Sequence, residues 1–180
     1  MLPLAERMRP KRLKDYIGQK HLVGEGAILK QMIESGNLSS FILWGPPGVG
    51  KTTLARIIAL EQTKALILNF GQQNGIQKSK NQHGSPILFI DEIHRFSKSQ
   101  QDSLLGAVEE GVITLIGATT ENPSFEVITP LLSRCAVYVL KPLNKSDLME
   151  LMERTLKEDE VLRTRKVDIQ ETDSILRYSG

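Results

Sequence analysis

Residues 43–54 read "LWGPPGVGKTTL". An apolar run, Phe41 to Trp44, breaks into Gly45-Pro46-Pro47-Gly48-Val49-Gly50 and then into Lys51-Thr52-Thr53. The spacing fits G-x-x-x-x-G-K-[ST], with a predicted strand before it and a predicted helix, Thr52–Leu60, after it. Glycines let the backbone fold tightly enough for its N–H groups to face an anion, and the helix N-terminus adds its positive end. Gly45–Thr53 therefore read as a phosphate cradle. Lys51 would reach the terminal phosphates and the Thr52 hydroxyl would ligate Mg²⁺. The bland alternative, an accidental Gly-Pro loop, does not explain why strand, loop, Lys-Thr and helix come in this order.

Working outward, further apolar runs follow at Ala65–Phe70, Ile87–Ile90, Val112–Ala118 and Val137–Leu140. They are apolar at successive positions, the pattern of strands buried on both faces of a parallel sheet. Helical patterns lie at Gly24–Gly36, with Gly36 as the stop, and at Ser99–Val108. The alternation predicts an α/β fold of the P-loop type, a parallel sheet flanked by helices. Residues 1–142 form the predicted core. In residues 143–180, Leu148, Leu151, Met152 and Leu156 share one face of an amphipathic helix, and "VDIQETDSILRYSG" begins another. This tail predicts the start of a small helical domain. Residues 71–85, "GQQNGIQKSKNQHGS", read as a polar loop.

The run "ILFIDE" ends a predicted buried strand in Asp91-Glu92. A carboxylate at that edge can hold Mg²⁺ beside a nucleotide, and Glu92 can act as general base toward a water. His94 reads as a hydrogen-bonding or structural histidine, since no metal-ligand set surrounds it. The next strand ends in Thr119, Thr120, Glu121 and Asn122. A polar side chain there can read a γ-phosphate or orient the water. Thr120 is the first choice and Asn122 the second, with turn chemistry before Pro123 as the alternative for Asn122.

Composition sets outer bounds. With 180 residues, 40% hydrophobic, the chain can bury a core. A net charge of +2 is too small to argue for nucleic acid, so basic surface must come from clusters such as Arg7–Lys14 or Lys78 and Lys80. One cysteine, Cys135, forbids an internal disulfide framework and fits a reducing compartment; it reads as a small buried residue. Neither a signal peptide nor a membrane span is expected.

The stretches "LAERMRPKRLKDYIGQKHL", "LWGPPGVGKTTLARIIA", "ILFIDEIHRFSKSQQDSLLGAVEEG", "TLIGATTENPSFEV" and "LLSRCAVYVLKPL" resemble AAA+ ATPases, and among them the replication-associated recombination protein A family. The "DEIHRFSKSQQD" and "GATTENPSFE" runs carry that choice. The opening alone would also suit a Holliday-junction branch-migration ATPase, and "SRC" alone a clamp loader. The resemblance implies ATP with Mg²⁺, an adenine contact from Tyr16, Ile17 and Gly18, and Thr120 at the sensor-1 position. It also implies Arg134 as an arginine finger. For the finger, Thr129 would cap a short helix with Pro130 at its first position; a plain surface arginine is the alternative. As partners the family implies DNA at stalled or gapped forks, single-strand-binding protein and further copies in a homo-oligomer, in the cytoplasm at the nucleoid. The chain departs from the family pattern in its short 71–85 stretch and in ending at "LRYSG" before a sensor-2 arginine. A truncated lid and slow hydrolysis are therefore expected, with a clamp-loader subunit or a nucleotide-binding interaction module as alternative readings.

Overall fold

The structure, a computed structural model, describes residues 2–62, 65–68, 85–165, 167, 169, 171 and 172. Residues 69 and 70 of the second apolar run, the polar stretch 71–84 with Lys78 and Lys80, and most of the expected last helix lie outside the described residues.

In chain order the helices and strands are α1 (Leu4–Arg7), α2 (Lys20–Val23), α3 (Ile28–Ser35), β1 (Phe41–Trp44), α4 (Lys51–Glu61), β2 (Ala65–Leu68), β3 (Ile87–Ile90), α5 (Lys98–Glu109), β4 (Thr114–Thr119), α6 (Pro123–Glu126), α7 (Thr129–Leu132), β5 (Ala136–Val139), α8 (Lys145–Glu158) and α9 (Glu160–Arg165). Single 3₁₀ turns sit at Leu13–Asp15 and Ile93–Arg95. Among the described residues the strands make one parallel sheet in the order β2-β3-β4-β1-β5. The register pairs Trp44 with Thr119 on one side and with Val139 on the other.

Successive strand residues point to opposite faces, so every central strand supplies both layers. Phe41, Leu43, Phe89, Ile116 and Ala118 meet Leu29, Ile33, Leu54, Ala55 and Ile58 of α3 and α4. Ile42, Leu88, Ile90 and Leu115 meet Ile93, Val127 and Leu131, with Leu104, Leu105 and Val108 of α5 packed against them. Burying a side chain of this size contributes about 1.5–3 kcal/mol, and a sheet covered on both faces collects that from each residue of a strand. This is why β3 and β4 are buried along their whole length. β5, at the sheet edge, is exposed at three of its four positions.

Local sequence sets the helix ends. Gly36 stops α3 in the left-handed conformation, as its position suggested. The helix starts later than Gly24, because Gly24–Ala27 closes a turn through Ala27 N–H to the Gly24 carbonyl at 3.0 Å. Ser97 and Gln100 form a capping box at α5, and Asn144 and Asp147 form one at α8. Ile128, not Thr129, occupies the N-cap of α7, so Pro130 sits in its first turn without a side-chain cap. The threonine hydroxyl forms no cap here because the chain enters the helix one residue earlier.

Among the long-range ties between the N-terminal segment and the rest are those of Arg7 and Gln19. Arg7 Nε and Nη2 donate to the two carboxylate oxygens of Asp159, at 2.8 and 3.0 Å, at the corner between α8 and α9. Gln19, buried and left-handed at φ 53°, donates to the Lys141 carbonyl at 2.7 Å and accepts from the Lys141 N–H at 2.9 Å.

Candidate nucleotide-binding cleft

The loop between β1 and α4 lies at the C-terminal edge of the central strands, where ligands of open α/β sheets bind. Gly45 approaches β5 so closely that a Cβ there would stand 2.6 Å from the Leu140 carbonyl oxygen. Gly50 holds φ +97°, and a Cβ would stand 2.5 Å from the Tyr16 hydroxyl. Tyr16 in turn donates to the carbonyls of Gly50 and Val49, at 3.3 and 3.4 Å. Burial pushes the Tyr16 phenol well up, so it stays neutral and able to donate.

Lys51 is buried at the first position of α4, and Nζ donates to the Gly45 and Pro46 carbonyls, both at 2.7 Å. Burial lowers its pKa, while Glu92 and Asp91 act in the opposite sense. The ammonium is thus held inside the loop by two neutral acceptors, in a setting where an anion would be a stronger partner. Thr52 Oγ1 donates to Asp91 Oδ2 at 2.9 Å, which places the hydroxyl and the carboxylate side by side. These are hard oxygen donors of the kind Mg²⁺ takes.

Glu92 follows β3 with φ 55°, one of two non-glycine residues in the left-handed region among those described. Such backbone strain collects at functional sites. Its Oε2 lies 3.3 Å from His94 Nε2, and His94 Nδ1 lies 3.0 Å from Thr119 Oγ1. His94 thus takes the hydrogen-bonding place expected of it. Thr120 lines the same cleft, a space of about 280 Å³ shared with Pro47, Gly48, Gly50, Lys51, Thr52, Thr53, Glu92 and Arg9. Asn122 does not line it: its Oδ1 accepts from Ser124 N–H at 3.0 Å and caps α6.

A larger, mostly apolar space of about 440 Å³ shares Arg9, Gly48, Gly50 and Thr53 with that cleft and is lined also by Val49, Tyr16, Ile17, Met8 and Pro10. Leu151, Arg154 and Thr155, on one face of α8, close its far side. Gly18 backs it without lining it. A Cβ at Gly18 would strike Leu143 at 2.6 Å, where the β5–α8 connection passes. Arg9 borders both spaces, pairs with Glu6 at 2.7 Å, and has a buried Nε without a partner.

Arg134 lines neither space. It is half exposed, pairs with Glu109 at 2.9 Å and donates to Ser133 Oγ at 3.1 Å. Burial raises the neighbouring Cys135 thiol to about 11, so it is no thiolate nucleophile. Among the described residues no His, Cys, Asp and Glu cluster could hold a metal by side chains of those types alone, and no helix is long and apolar enough to cross a membrane.

Sequence reading missed three contributors. Gln19 and Arg154 act through partners 30 to 139 residues away, and no local pattern marks such contacts; Arg9 reaches both spaces while its ion-pair partner, Glu6, is a near neighbour in sequence.

Residues 8–128, which carry the loop, the Asp91-Glu92 edge and Thr120, match the family described as the Holliday junction DNA helicase RuvB P-loop domain. The chain belongs to that family. Within this AAA+ group its similarity runs to replication-associated recombination protein A. The Coxiella burnetii protein of that name is 49% identical over 88% of this chain, and the Escherichia coli K12 protein 47% over 87%. The chain spans 38% and 37% of those two proteins. Among solved structures, the Thermotoga maritima RuvB Holliday junction branch migration motor superposes with a TM-score of 0.67 at 33% identity, over 83% of this chain and 54% of that one. This RuvB-type P-loop domain is thus of the AAA+ ATPase class that its motifs suggested.

Proposed function

We propose that this chain is the nucleotide-binding core of a Mg²⁺-dependent ATPase, with ATP lying across the two neighbouring spaces. The observation that carries the reading is the Thr52–Asp91 hydrogen bond at 2.9 Å, made by the same Thr52 that lines one cleft with Lys51, Glu92 and Thr120. Adenine would occupy the apolar space beside Tyr16 and Ile17, with Gly18 shaping it from behind. The phosphates would face the N–H groups of Gly48–Thr53, within the Gly45–Thr53 loop, and Arg9 borders both spaces. Thr52 and Asp91 would hold Mg²⁺, which supplies charge neutralisation at the phosphates.

Lys51 exchanges its two carbonyl acceptors for phosphate oxygens. Glu92 takes the proton of a water directed at the terminal phosphate. Thr120, at the end of β4, contacts that phosphate. Arg134 acts from a neighbouring copy, since it stands outside its own cleft and half exposed. Residues 1–142 serve as the core, and 143–180 as the start of a helical lid. By likeness to replication-associated recombination protein A, the whole protein would work as a homo-oligomer on DNA at stalled or gapped forks, with single-strand-binding protein, in the cytoplasm. The test is phosphate release by the purified chain, with and without single-stranded DNA, against Lys51→Ala. Release that depends on Lys51 supports the reading. Nucleotide binding without release would make this a nucleotide-binding interaction module, and release unchanged in Lys51→Ala would overturn the site.

A further inference from the structure

We propose that His94 is a positioning residue that tethers Glu92 to the end of β4, so that the proposed base and the γ-phosphate contact of Thr120 move together. The inference rests on the reading of Glu92 as general base. The hydrogen-bond inventory gives the tether a direction. Thr119 Oγ1 accepts from Glu121 N–H at 3.0 Å, which leaves its own proton for one acceptor. Two acceptors are in reach: His94 Nδ1 at 3.0 Å, and the Glu121 carbonyl at 3.3 Å. At the other side of the ring, a Glu92 carboxylate can only accept. The Nε2 atom lies 3.3 Å from Glu92 Oε2, a separation that favours the tautomer with the ring proton on Nε2. In the neutral ring Nδ1 is then an acceptor, and the closer position is where the Thr119 proton goes.

The resulting chain is Glu121 N–H to Thr119 Oγ1 and Thr119 O–H to His94 Nδ1, with the His94 Nε2 side of the ring facing Glu92 Oε2 across 3.3 Å. Its two ends differ in mobility. Thr119 is fully buried within a sheet strand, whereas Glu92 stands on a left-handed residue outside the ladder. An unsupported Glu92 side chain has several rotamers open to it, and the ring selects the one facing β4. Thr119 directly precedes Thr120, so displacement of that strand end passes through the ring to the carboxylate. The order is that of a base held by a third group, with the histidine in the orienting place instead of the basic one.

The tautomer is read first, on the whole chain without nucleotide, from the ring-nitrogen chemical shifts by NMR at a pH where the ring is neutral. The His94 signals are assigned by their loss in His94→Gln. The expected result is protonated Nε2 and unprotonated Nδ1, with Glu92→Gln moving the Nε2 signal and Thr119→Val the Nδ1 signal. An Nδ1–H tautomer, or an Nε2 signal indifferent to Glu92→Gln, would overturn the tether whether or not the chain hydrolyses ATP. Turnover is read second. His94→Ala should lower kcat about ten- to a hundredfold, as expected for a misplaced reacting group, with the Kd for ATP unchanged. His94→Gln, which keeps an N–H for Glu92, should recover part of that loss. Equal kcat in wild type and His94→Ala, or a loss confined to Kd, would refute the positioning role. Failure of the wild-type chain to release phosphate would count against the ATPase reading alone, because the tautomer still decides the tether.

Discussion

Replacing Gln19 by alanine tests the tie between the N-terminal segment and the core. The side chain makes two well-formed bonds to the Lys141 backbone, at 2.7 and 2.9 Å, and a marginal one to the Val49 carbonyl at 3.4 Å. The two good bonds contribute about 1 kcal/mol each, and the lost buried methylene adds roughly 0.8 kcal/mol. Gln19→Ala should therefore cost about 3 kcal/mol. For a chain of this size that lowers the thermal midpoint by roughly 6–12 °C. Gln19→Gly forfeits the same bonds but removes the strain of a side chain at φ 53°. Left-handed backbone costs most residues about 1–2 kcal/mol, so the glycine variant should be about 1 kcal/mol more stable than the alanine variant. Urea denaturation followed by circular dichroism measures both. A loss below about 1 kcal/mol for Gln19→Ala would show that the bonds to Lys141 do not hold the segment. A glycine variant less stable than the alanine one would refute the backbone reasoning.

Gly50→Ala places a methyl 2.5 Å from the Tyr16 hydroxyl at φ +97°, so it should weaken nucleotide binding at least ~10-fold by calorimetry, a cost of about 1.4 kcal/mol. Adding Tyr16→Phe removes the nearest atom but not the backbone strain, and should restore only part. Lys51→Met should abolish nucleotide-dependent stabilisation yet leave the ligand-free chain at least as stable in thermal melts, because a buried ammonium is replaced by an apolar chain of similar length. The hydrogen bond from Arg7 holds the Asp159 carboxyl below the usual range. Its contribution is therefore present above an unfolded pKa of about 3.9 and is lost as pH falls through the lower folded value. Asp159→Asn should flatten the stability curve across that acid window, and an unchanged acid limb would refute the pairing.

The central strands were legible because they are buried on both faces, so Ile87–Ile90 and Phe41–Trp44 appear as unbroken apolar runs with the right ends. The same cue marked β5 from its apolar residues without revealing that it is an exposed edge, since neighbours decide that. The placement of the Gly45–Gly50 loop, Asp91, Glu92 and Thr120 at strand ends was legible because each closely follows an apolar run. Asn122 showed the limit of that cue: it too follows the strand end, but its carbonyl oxygen serves the next helix. The start of α7 slipped by one residue because a threonine before proline looks like a cap, whatever path brings the chain there. The left-handed backbone of Gln19 and Glu92 left no mark in composition, and the Arg7–Asp159 pair joins positions 152 residues apart. Such contacts depend on which elements come to lie together, and periodicity reports only on each element alone.

Trp44 is the only tryptophan in the sequence, and it closes β1 immediately before the loop. Its carbonyl accepts from Leu140 N–H at 2.7 Å, and the next peptide carbonyl, that of Gly45, is one of the two that hold Lys51. A ligand that draws the ammonium off that carbonyl disturbs the peptide adjoining the indole. The chain therefore carries its own optical gauge. Indole emission, uncomplicated by a second tryptophan, would report loop occupancy in real time without any attached dye, and Lys51→Met would supply the silent control.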